Sequence, residues 1–139
     1  GDNIRTGIND NLTFSEKDRI ENIRRIAEVS KLFNSSAVVT INCFVSPFQS
    51  SRELAKKIIG KENFFEIFID TPISECERRD VKGLYKKARA GEIKNFTGIS
   101  SPFEPPLNPA LTISTFEKSI EKSVDELFNY ILPKIKFEQ

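Results

Sequence analysis

The run Ala37-Val38-Val39-Thr40-Ile41-Asn42-Cys43-Phe44 is rich in β-branched residues and almost continuously apolar. This pattern is typical of a strand inside a parallel sheet, because helices cover both of its faces. The run ends at Ser46-Pro47, where a strand would pass into a loop. A similar run over Phe64–Ile69 ends at Asp70-Thr71-Pro72, and Leu111–Ile113 predicts a short third strand.

Helix signals separate these predicted strands. Ser15 with a carboxylate at Asp18 is a capping box, and the apolar stripe after it ends near Phe33. A second capping signal, Ser114–Glu117, opens a helix that carries Ile120, Val124, Leu127 and Ile131 on one face and runs to about Leu132. Shorter helices are predicted over 51–59, ended by Gly60, and over 73–79. The alternation predicts an α/β domain with a parallel sheet and flanking helices, which binds ligands at the carboxyl ends of its strands.

Composition excludes several classes of function. The 139 residues suit one domain, and a net charge of +1 argues against a nucleic-acid partner. No apolar stretch approaches the ~20 residues of a membrane span. The chain has no histidine, which removes the commonest general base and zinc ligand, and we expect no metal site built from protein ligands. Cys43 and Cys76 are predicted to be buried thiols in a reducing compartment.

A basic, glycine-containing segment follows the 73–79 helix. Between Lys82 and Lys94 it has five basic residues and one acid, Glu92, and it ends in an aromatic, Phe96. Such a segment can close over a nucleotide, with cations on phosphate or sulfate and the ring on a base. The alternative is a solvated surface loop.

The chain resembles the adenylylsulfate kinases through motifs that follow one another in the family's order. These are Gly1–Arg5, Phe14-Ser15, Asp18-Arg19, Glu21–Arg25, Phe44–Pro47, Asp70–Pro72, Cys76–Asp80 and the basic segment. The resemblance implies a P-loop nucleotide-kinase fold. It also implies transfer of the ATP γ-phosphate to the 3′-hydroxyl of adenosine 5′-phosphosulfate (APS), giving 3′-phosphoadenylyl sulfate (PAPS).

The family's phosphate loop, Gly-x-x-Gly-x-Gly-Lys-Ser/Thr, has no counterpart among the six glycines of the chain. The chain also begins at Gly1 and contains no methionine. We therefore interpret residues 1–139 as a partial kinase domain, its C-terminal two-thirds, with the first strands absent and a lid at about 80–99. We expect this chain by itself to be inactive. The alternative is a natural variant that has lost its phosphate loop.

The resemblance implies roles for residues before the lid. Asp2 would lie near the transferred phosphate and act in catalysis. Ser46 is the second catalytic candidate, and the matching serine can itself be phosphorylated in some family members. Val45 would contact the substrate beside Ser46. Without the resemblance, Asp2 would be read as an exposed acid and Ser46 as a turn residue before proline.

Further substrate-binding residues follow from the same resemblance. They are Arg5 and Arg19 on the phosphosulfate, Asn22 as a hydrogen-bonding amide, Phe14 and Phe96 stacked on the adenine, Lys82 reaching APS from the lid, and Asn95 as a backbone contact. Arg78 and Arg79 could face ATP. The alternatives are surface ion pairs for the arginines, a polar helix face for Asn22 and core positions for the two phenylalanines. Thr13 departs from the family, which has glycine before its stacking phenylalanine.

The family comparison also implies Mg²⁺ with ATP, a homodimer, a cytoplasmic location and possible fusion or association with ATP sulfurylase. Two rival interpretations remain. One is a non-catalytic, kinase-like regulatory domain that binds PAPS, as in some ATP sulfurylases. The other is a folded remnant whose nucleotide pocket is unused.

Overall fold

A computed structural model describes residues 1–136. Its helices and strands are α1 (Asp2–Arg5), α2 (Glu16–Ser35), α3 (Gln49–Ile59), β1 (Ile67–Asp70), α4 (Ile73–Arg79), α5 (Leu84–Arg89), β2 (Leu111–Ser114) and α6 (Ile120–Ile135). The chain forms two compact units. Unit 1 contains Gly1–Phe64 with Phe103–Pro105, and unit 2 contains Phe65–Pro102 and the chain from Pro106 onward.

The core of unit 1 lies between α2 and α3. Ile23 and Ala27 of α2 are buried against Ala55 of α3, and partly buried apolar residues surround them. The predicted start of α2 is confirmed, because the Ser15 hydroxyl accepts a hydrogen bond from the Asp18 N–H at 3.2 Å. The predicted end of α3 is also confirmed at Gly60, whose φ of 101° favours glycine.

A remote segment holds the start of α3. The Glu104 carboxylate accepts the Gln49 N–H at 2.6 Å, at the end of the helix where a negative charge is favourable. Arg52, only 6% exposed, donates to the carbonyls of Ser46 at 2.8 Å and of Glu104 at 2.7 Å. The loop after Phe44 is therefore fixed to α3 by a buried guanidinium.

The run 37–44 is not the buried strand that its composition predicts. It has no strand structure, Val39 and Ile41 are 56% and 83% exposed, and Cys43 is exposed rather than buried. A strand forms by exchanging hydrogen bonds with a neighbour, and among residues 1–136 the only sheet consists of β1 and β2. The apolar pattern favours burial of this run, but residues 1–136 leave Val39 and Ile41 exposed.

Unit 2 is built on the parallel pair β1 and β2, in which Ile67 lies opposite Leu111 and Asp70 opposite Ser114. Ile113 of β2 is 1% exposed and is therefore fully buried. The second and third predicted strands and their parallel direction are confirmed. However, β1 is shorter than predicted and is not fully buried, since Ile69 is 53% exposed.

The helix after β2 begins later than predicted. Ser114 still belongs to β2, Glu117 has a φ of 54°, and the capping hydroxyl is that of Ser119, which accepts the Lys122 N–H at 3.3 Å. The predicted capping box at Ser114–Glu117 is therefore wrong, because Ser114 belongs to β2. The predicted apolar face of α6 is present but carries exposed residues, with Ile120 78% exposed. Among the described helices none is both long enough and apolar enough to cross a membrane.

Candidate functional site

Two of the predicted arginines of unit 1, Arg5 and Arg19, meet at Phe14. The Arg5 guanidinium carbon lies 4.3 Å from the centre of the Phe14 ring, and Arg19 Nε donates to the Phe14 carbonyl at 2.9 Å. Arg5 Nη1 also donates to the carbonyls of Leu12 and Thr13, at 3.2 and 3.1 Å. The Phe14 side chain remains 63% exposed. Two cations and one accessible aromatic ring therefore share a small surface, which we call the arginine–phenylalanine cluster (Arg5, Phe14, Arg19).

Like charges lie close together in this cluster. Burial, and then the nearby charge of Arg5, lower the pKa of Arg19 below its ordinary value. A site that holds two guanidinium groups near each other favours an anion. The cluster is thus suited to a phosphate, a sulfate or both.

Thr13, the departure from the family's glycine, has a definite role in this loop. Its N–H donates to Asp18 Oδ2 at 2.9 Å, and its hydroxyl makes a very short hydrogen bond to the same oxygen. These bonds lower the pKa of Asp18 from its ordinary value of 3.8. The Asp18 carboxylate of the predicted capping box therefore binds Thr13, and this fixes the residue before Phe14.

Asn22 lies in a buried polar network. It is 5% exposed, and its Oδ1 accepts from Nδ2 of Asn9, which is 0% exposed, at 2.9 Å. Arg25 Nη1 approaches Asn9 Oδ1 at 3.3 Å. Neither Asn9 nor Arg25 was predicted as a functional residue. Asn9 is an isolated polar residue in a loop, which gives no local signal of burial.

Asp2, Val45 and Ser46 are brought together by the start of the chain. The amine of Gly1 donates to the Cys43 carbonyl at 2.9 Å, so α1 begins beside the loop after 37–44. Val45 is 65% exposed. Ser46 has a φ of 37°, a left-handed conformation that is strained for serine, and its carbonyl is held by Arg52. The structure thus places these three predicted residues in one region of unit 1.

The remaining predicted residues, Lys82, Asn95 and Phe96, lie in unit 2. Lys82 precedes α5, and Asn95 is exposed with a φ of 55°. The Phe96 ring lies 4.9 Å from the Tyr85 ring, centre to centre, in an edge-to-face contact. Phe96 is therefore partly buried against Tyr85 in the free chain.

The segment predicted to be a lid, about 80–99, contains a helix, α5, that the sequence pattern did not reveal. The Asp80 carboxylate starts it by accepting the N–H groups of Tyr85 and Lys86, each at 3.0 Å, and these bonds contribute to lowering the pKa of Asp80. Burial raises the pKa of Tyr85 to about 12. The available sequence signal for α5 was Asp80, an acid that stands five residues before Tyr85. The many basic residues of the segment obscured this signal.

Besides the basic segment that follows α4, unit 2 contains a cleft of about 410 Å³ with several basic side chains. It is lined by Glu75, Arg78, Arg79, Phe116, Glu117 and Lys118. Glu75 is 8% exposed and accepts from Arg78 and Arg79 at 2.7 Å. These hydrogen bonds lower the pKa of Glu75 to about 2. Arg79 also donates to the Thr115 carbonyl at 2.8 Å, which anchors it beside Phe116.

Comparison with known proteins agrees with these motifs. The family described as adenylylsulphate kinase matches residues 1–114. The chain belongs to this family.

Named relatives support the assignment. The adenylyl-sulfate kinase of Bacteroides thetaiotaomicron is 62% identical over 136 residues, which cover 98% of this chain and 68% of the relative. That of Clostridium acetobutylicum is 53% identical over 94% of this chain and 65% of its own length. The chain thus spans about two-thirds of the length of these relatives.

A solved structure shares the fold. The Mycobacterium tuberculosis APS kinase CysC in complex with AMPPNP and APS superimposes with a TM-score of 0.89 at 44% identity. The match covers 94% of this chain and 76% of that one. The predicted α/β class with a parallel sheet and helices is confirmed.

Proposed function

We propose that this chain carries the APS-binding part of an adenylylsulfate kinase, which transfers the ATP γ-phosphate to the 3′-hydroxyl of APS. The observation that carries the proposal is the arginine–phenylalanine cluster. APS combines an aromatic base with a phosphosulfate anion, and the cluster offers one exposed ring and two guanidinium groups. Family membership is the second support.

Each part of the cluster has a distinct task in this proposal. The adenine would stack on the Phe14 face that Arg5 does not cover, a contact worth roughly 1–3 kcal/mol per base. Arg19 would meet the phosphosulfate, since a planar guanidinium binds such oxygens in pairs. Arg5 would support both, because it covers Phe14 and adds positive charge.

The group around Asp2 would act on the reacting hydroxyl. A carboxylate there can orient the 3′-hydroxyl, and Val45 and Ser46 would contact APS beside it. Among residues 1–136 no three acidic, cysteine or histidine side chains form a metal cluster. Mg²⁺ on ATP is compatible with this, because it binds mainly phosphate oxygens and water with one or two carboxylates, and Asp2 would be such a carboxylate. Bound Mg²⁺ would neutralise charge on the transferred phosphate.

Arg78 and Arg79, in the cleft of unit 2, would face ATP, whose phosphates the family's phosphate loop would hold. Guanidinium groups suit an adenine face, and Phe116 supplies an aromatic ring that is 49% exposed. The lid, with Lys82, Asn95 and Phe96, would close on APS. The Mg²⁺ requirement, a homodimer, a cytoplasmic location and association with ATP sulfurylase belong to the same proposal and rest on the family resemblance.

The chain as given would bind APS without turning it over. None of its six glycines stands in a phosphate-loop pattern, and that loop supplies the charge stabilisation on which phosphoryl transfer depends. A second candidate function is regulatory binding of PAPS, which requires no phosphate loop.

Calorimetry with APS, PAPS and adenosine 5′-monophosphate tests the proposal, together with a coupled assay for ADP release. The expected result is micromolar or tighter binding of APS, at least about tenfold weaker binding of the monophosphate, and no turnover. Tighter binding of PAPS than of APS would favour the regulatory function. No binding of any of the three nucleotides would refute the proposal.

A further inference from the structure

A chain of polar side chains runs from the surface of α2 to its buried face. Arg25 Nε donates to Glu21 Oε1 at 2.9 Å, and Arg25 Nη1 donates to Asn9 Oδ1 at 3.3 Å. Asn9 Nδ2 then donates to Asn22 Oδ1 at 2.9 Å. The same Arg25 nitrogen donates to the Ile8 carbonyl at 3.0 Å and to Asn11 Oδ1 at 2.9 Å, which fixes the guanidinium against the 8–11 loop.

The direction of these hydrogen bonds is determined by Arg25. A guanidinium donates and never accepts, so the atom that Asn9 turns toward Arg25 must be its oxygen. Asn9 then has only its NH2 group to offer to Asn22. Asn22 must meet that group with its own oxygen, and its NH2 group is directed away from Asn9.

Burial makes this arrangement costly to reverse. Asn9 is 0% exposed and Asn22 is 5% exposed, so a flipped amide would place two NH2 groups or two oxygens against each other without water to separate them. In contrast, an exposed asparagine would rotate freely between the two orientations. The loop and α2 thus present a single orientation of the Asn22 amide.

We propose that Asn9 is a positioning residue that makes Asn22 a hydrogen-bond donor, and not an acceptor, toward the substrate. This inference rests on the proposed function and on the family resemblance, which implies that Asn22 forms a hydrogen bond with APS. The substrate atom that Asn22 meets is then an acceptor, such as an unprotonated ring nitrogen or an oxygen. Asn9 would act only through Asn22.

The orientation can be tested in the free, full chain by NMR of ¹⁵N-labelled side-chain amides. We expect the Asn9 NH2 protons to exchange slowly with solvent and the Asn22 NH2 protons to exchange faster. In Asn9→Asp the new carboxylate can only accept, so Asn22 should flip and its NH2 protons should become the slow pair. Slow exchange of the Asn22 NH2 group in the unaltered chain would overturn the inference.

The consequence for binding is measured by calorimetry with APS. Asn9→Asp should weaken APS about 10- to 100-fold, because a donor facing the substrate becomes an acceptor. In an Asn22→Ala background the same change should alter APS affinity less than about twofold. An equal loss in both backgrounds would mean that Asn9 is merely structural, and would refute the proposal.

Two further variants keep the test decisive. Asn22→Asp retains the acceptor for Asn9 but has no donor, so it should also weaken APS about 10- to 100-fold with little change in melting temperature, even where Asn9→Asp fails to fold. Asn11→Asp makes the same chemical change on an exposed partner of Arg25 and should leave APS affinity unchanged. If the unaltered chain did not bind APS, the proposed function would fail, and the exchange pattern would still decide whether Asn9 orients Asn22.

Discussion

Arg5 covers one face of the Phe14 ring, with its guanidinium carbon 4.3 Å from the ring centre. The same guanidinium is tied to the Leu12 and Thr13 carbonyls, so its position does not depend on a ligand. A base that stacks on Phe14 therefore meets a ring that is already supported from behind. Because the ring is preorganised, less conformational entropy is lost on binding.

Replacing Phe14 by alanine should weaken APS binding by roughly 1–3 kcal/mol, the value of one base–aromatic stack. Stability should change by less than about 1 kcal/mol, because the side chain is 63% exposed. Calorimetry with APS and thermal unfolding of the free chain measure the two effects. Phe33→Ala is the matched control, since Phe33 is 49% exposed in the same unit but lies at the far end of α2. Comparable losses of affinity in both variants would contradict the assignment.

Arg19→Ala should weaken APS about 10- to 100-fold, because a charge-assisted hydrogen bond contributes about 1.5–3 kcal/mol. ATP binding, for which we propose Arg78 and Arg79 in unit 2, should change little. Arg24→Ala provides the control. Arg24 is on the same helix, where it pairs with Glu21 at 2.7 Å, and its loss should not affect either nucleotide. A variant of Arg19 that lost ATP affinity and kept APS affinity would show that the two sites are exchanged.

An identical ion-pair pattern occurs once in each unit. Glu21 pairs with Arg24 and Arg25, and Glu75 pairs with Arg78 and Arg79, in both cases at i+3 and i+4. In each unit the hydrogen bonds from the two arginines lower the pKa of the glutamate to about 2. The pattern Glu-x-x-Arg-Arg is visible in the sequence, and its effect on acid stability can be predicted.

A folded-state pKa below the ordinary value of 4.5 means that the ionised Glu75 stabilises the native state. That stabilisation is present above about pH 4.5 and is lost as the pH falls toward 2. Glu75→Gln should therefore melt at a lower temperature than the unaltered chain at pH 7, and the two melting curves should converge near pH 2. A constant difference between the two proteins from pH 7 to pH 2 would show that the ion pairs do not contribute.

Local signals explain the parts of the fold that the sequence predicts well. The Ser15 cap, the Ile23–Ala27 stripe and the Gly60 stop each act within a few residues, and they predict α2 and α3 closely. The 37–44 run fails for the opposite reason. Its apolar character is local, but a strand requires a partner elsewhere, and composition cannot supply one.

The same distinction applies to the candidate site. The motifs around Arg5, Phe14 and Arg19 are contiguous enough to be recognised, and the structure brings their side chains together. Asn9 could not be predicted, because its role comes from burial between the loop and α2. Likewise, no local sequence signal indicated that Phe96 would pack against Tyr85.

The contact between Phe96 and Tyr85 predicts a specific behaviour of the lid. An edge-to-face aromatic pair contributes about 0.5–1.5 kcal/mol, far less than the ~3–5 kcal/mol of a core phenylalanine. Phe96 can therefore leave Tyr85 for an adenine ring, which offers roughly 1–3 kcal/mol of stacking. Phe96→Ala should weaken APS by the difference between these contacts, and it should lower stability by no more than the aromatic pair.

The variant Tyr85→Ala tests whether Phe96 moves from Tyr85 to the adenine, or whether Phe96→Ala only disorders the segment. Removing Tyr85 frees the Phe96 ring without touching the proposed ligand contact, so APS should bind equally well or slightly more tightly. Phe128→Ala, an exposed phenylalanine on α6 of the same unit, should change neither affinity nor stability appreciably. Calorimetry with APS and melting of the free chain are measured for all three variants. A loss of more than about 3 kcal/mol of stability in Phe96→Ala, with unchanged affinity, would place Phe96 in the core and exclude it from the lid's contact with substrate.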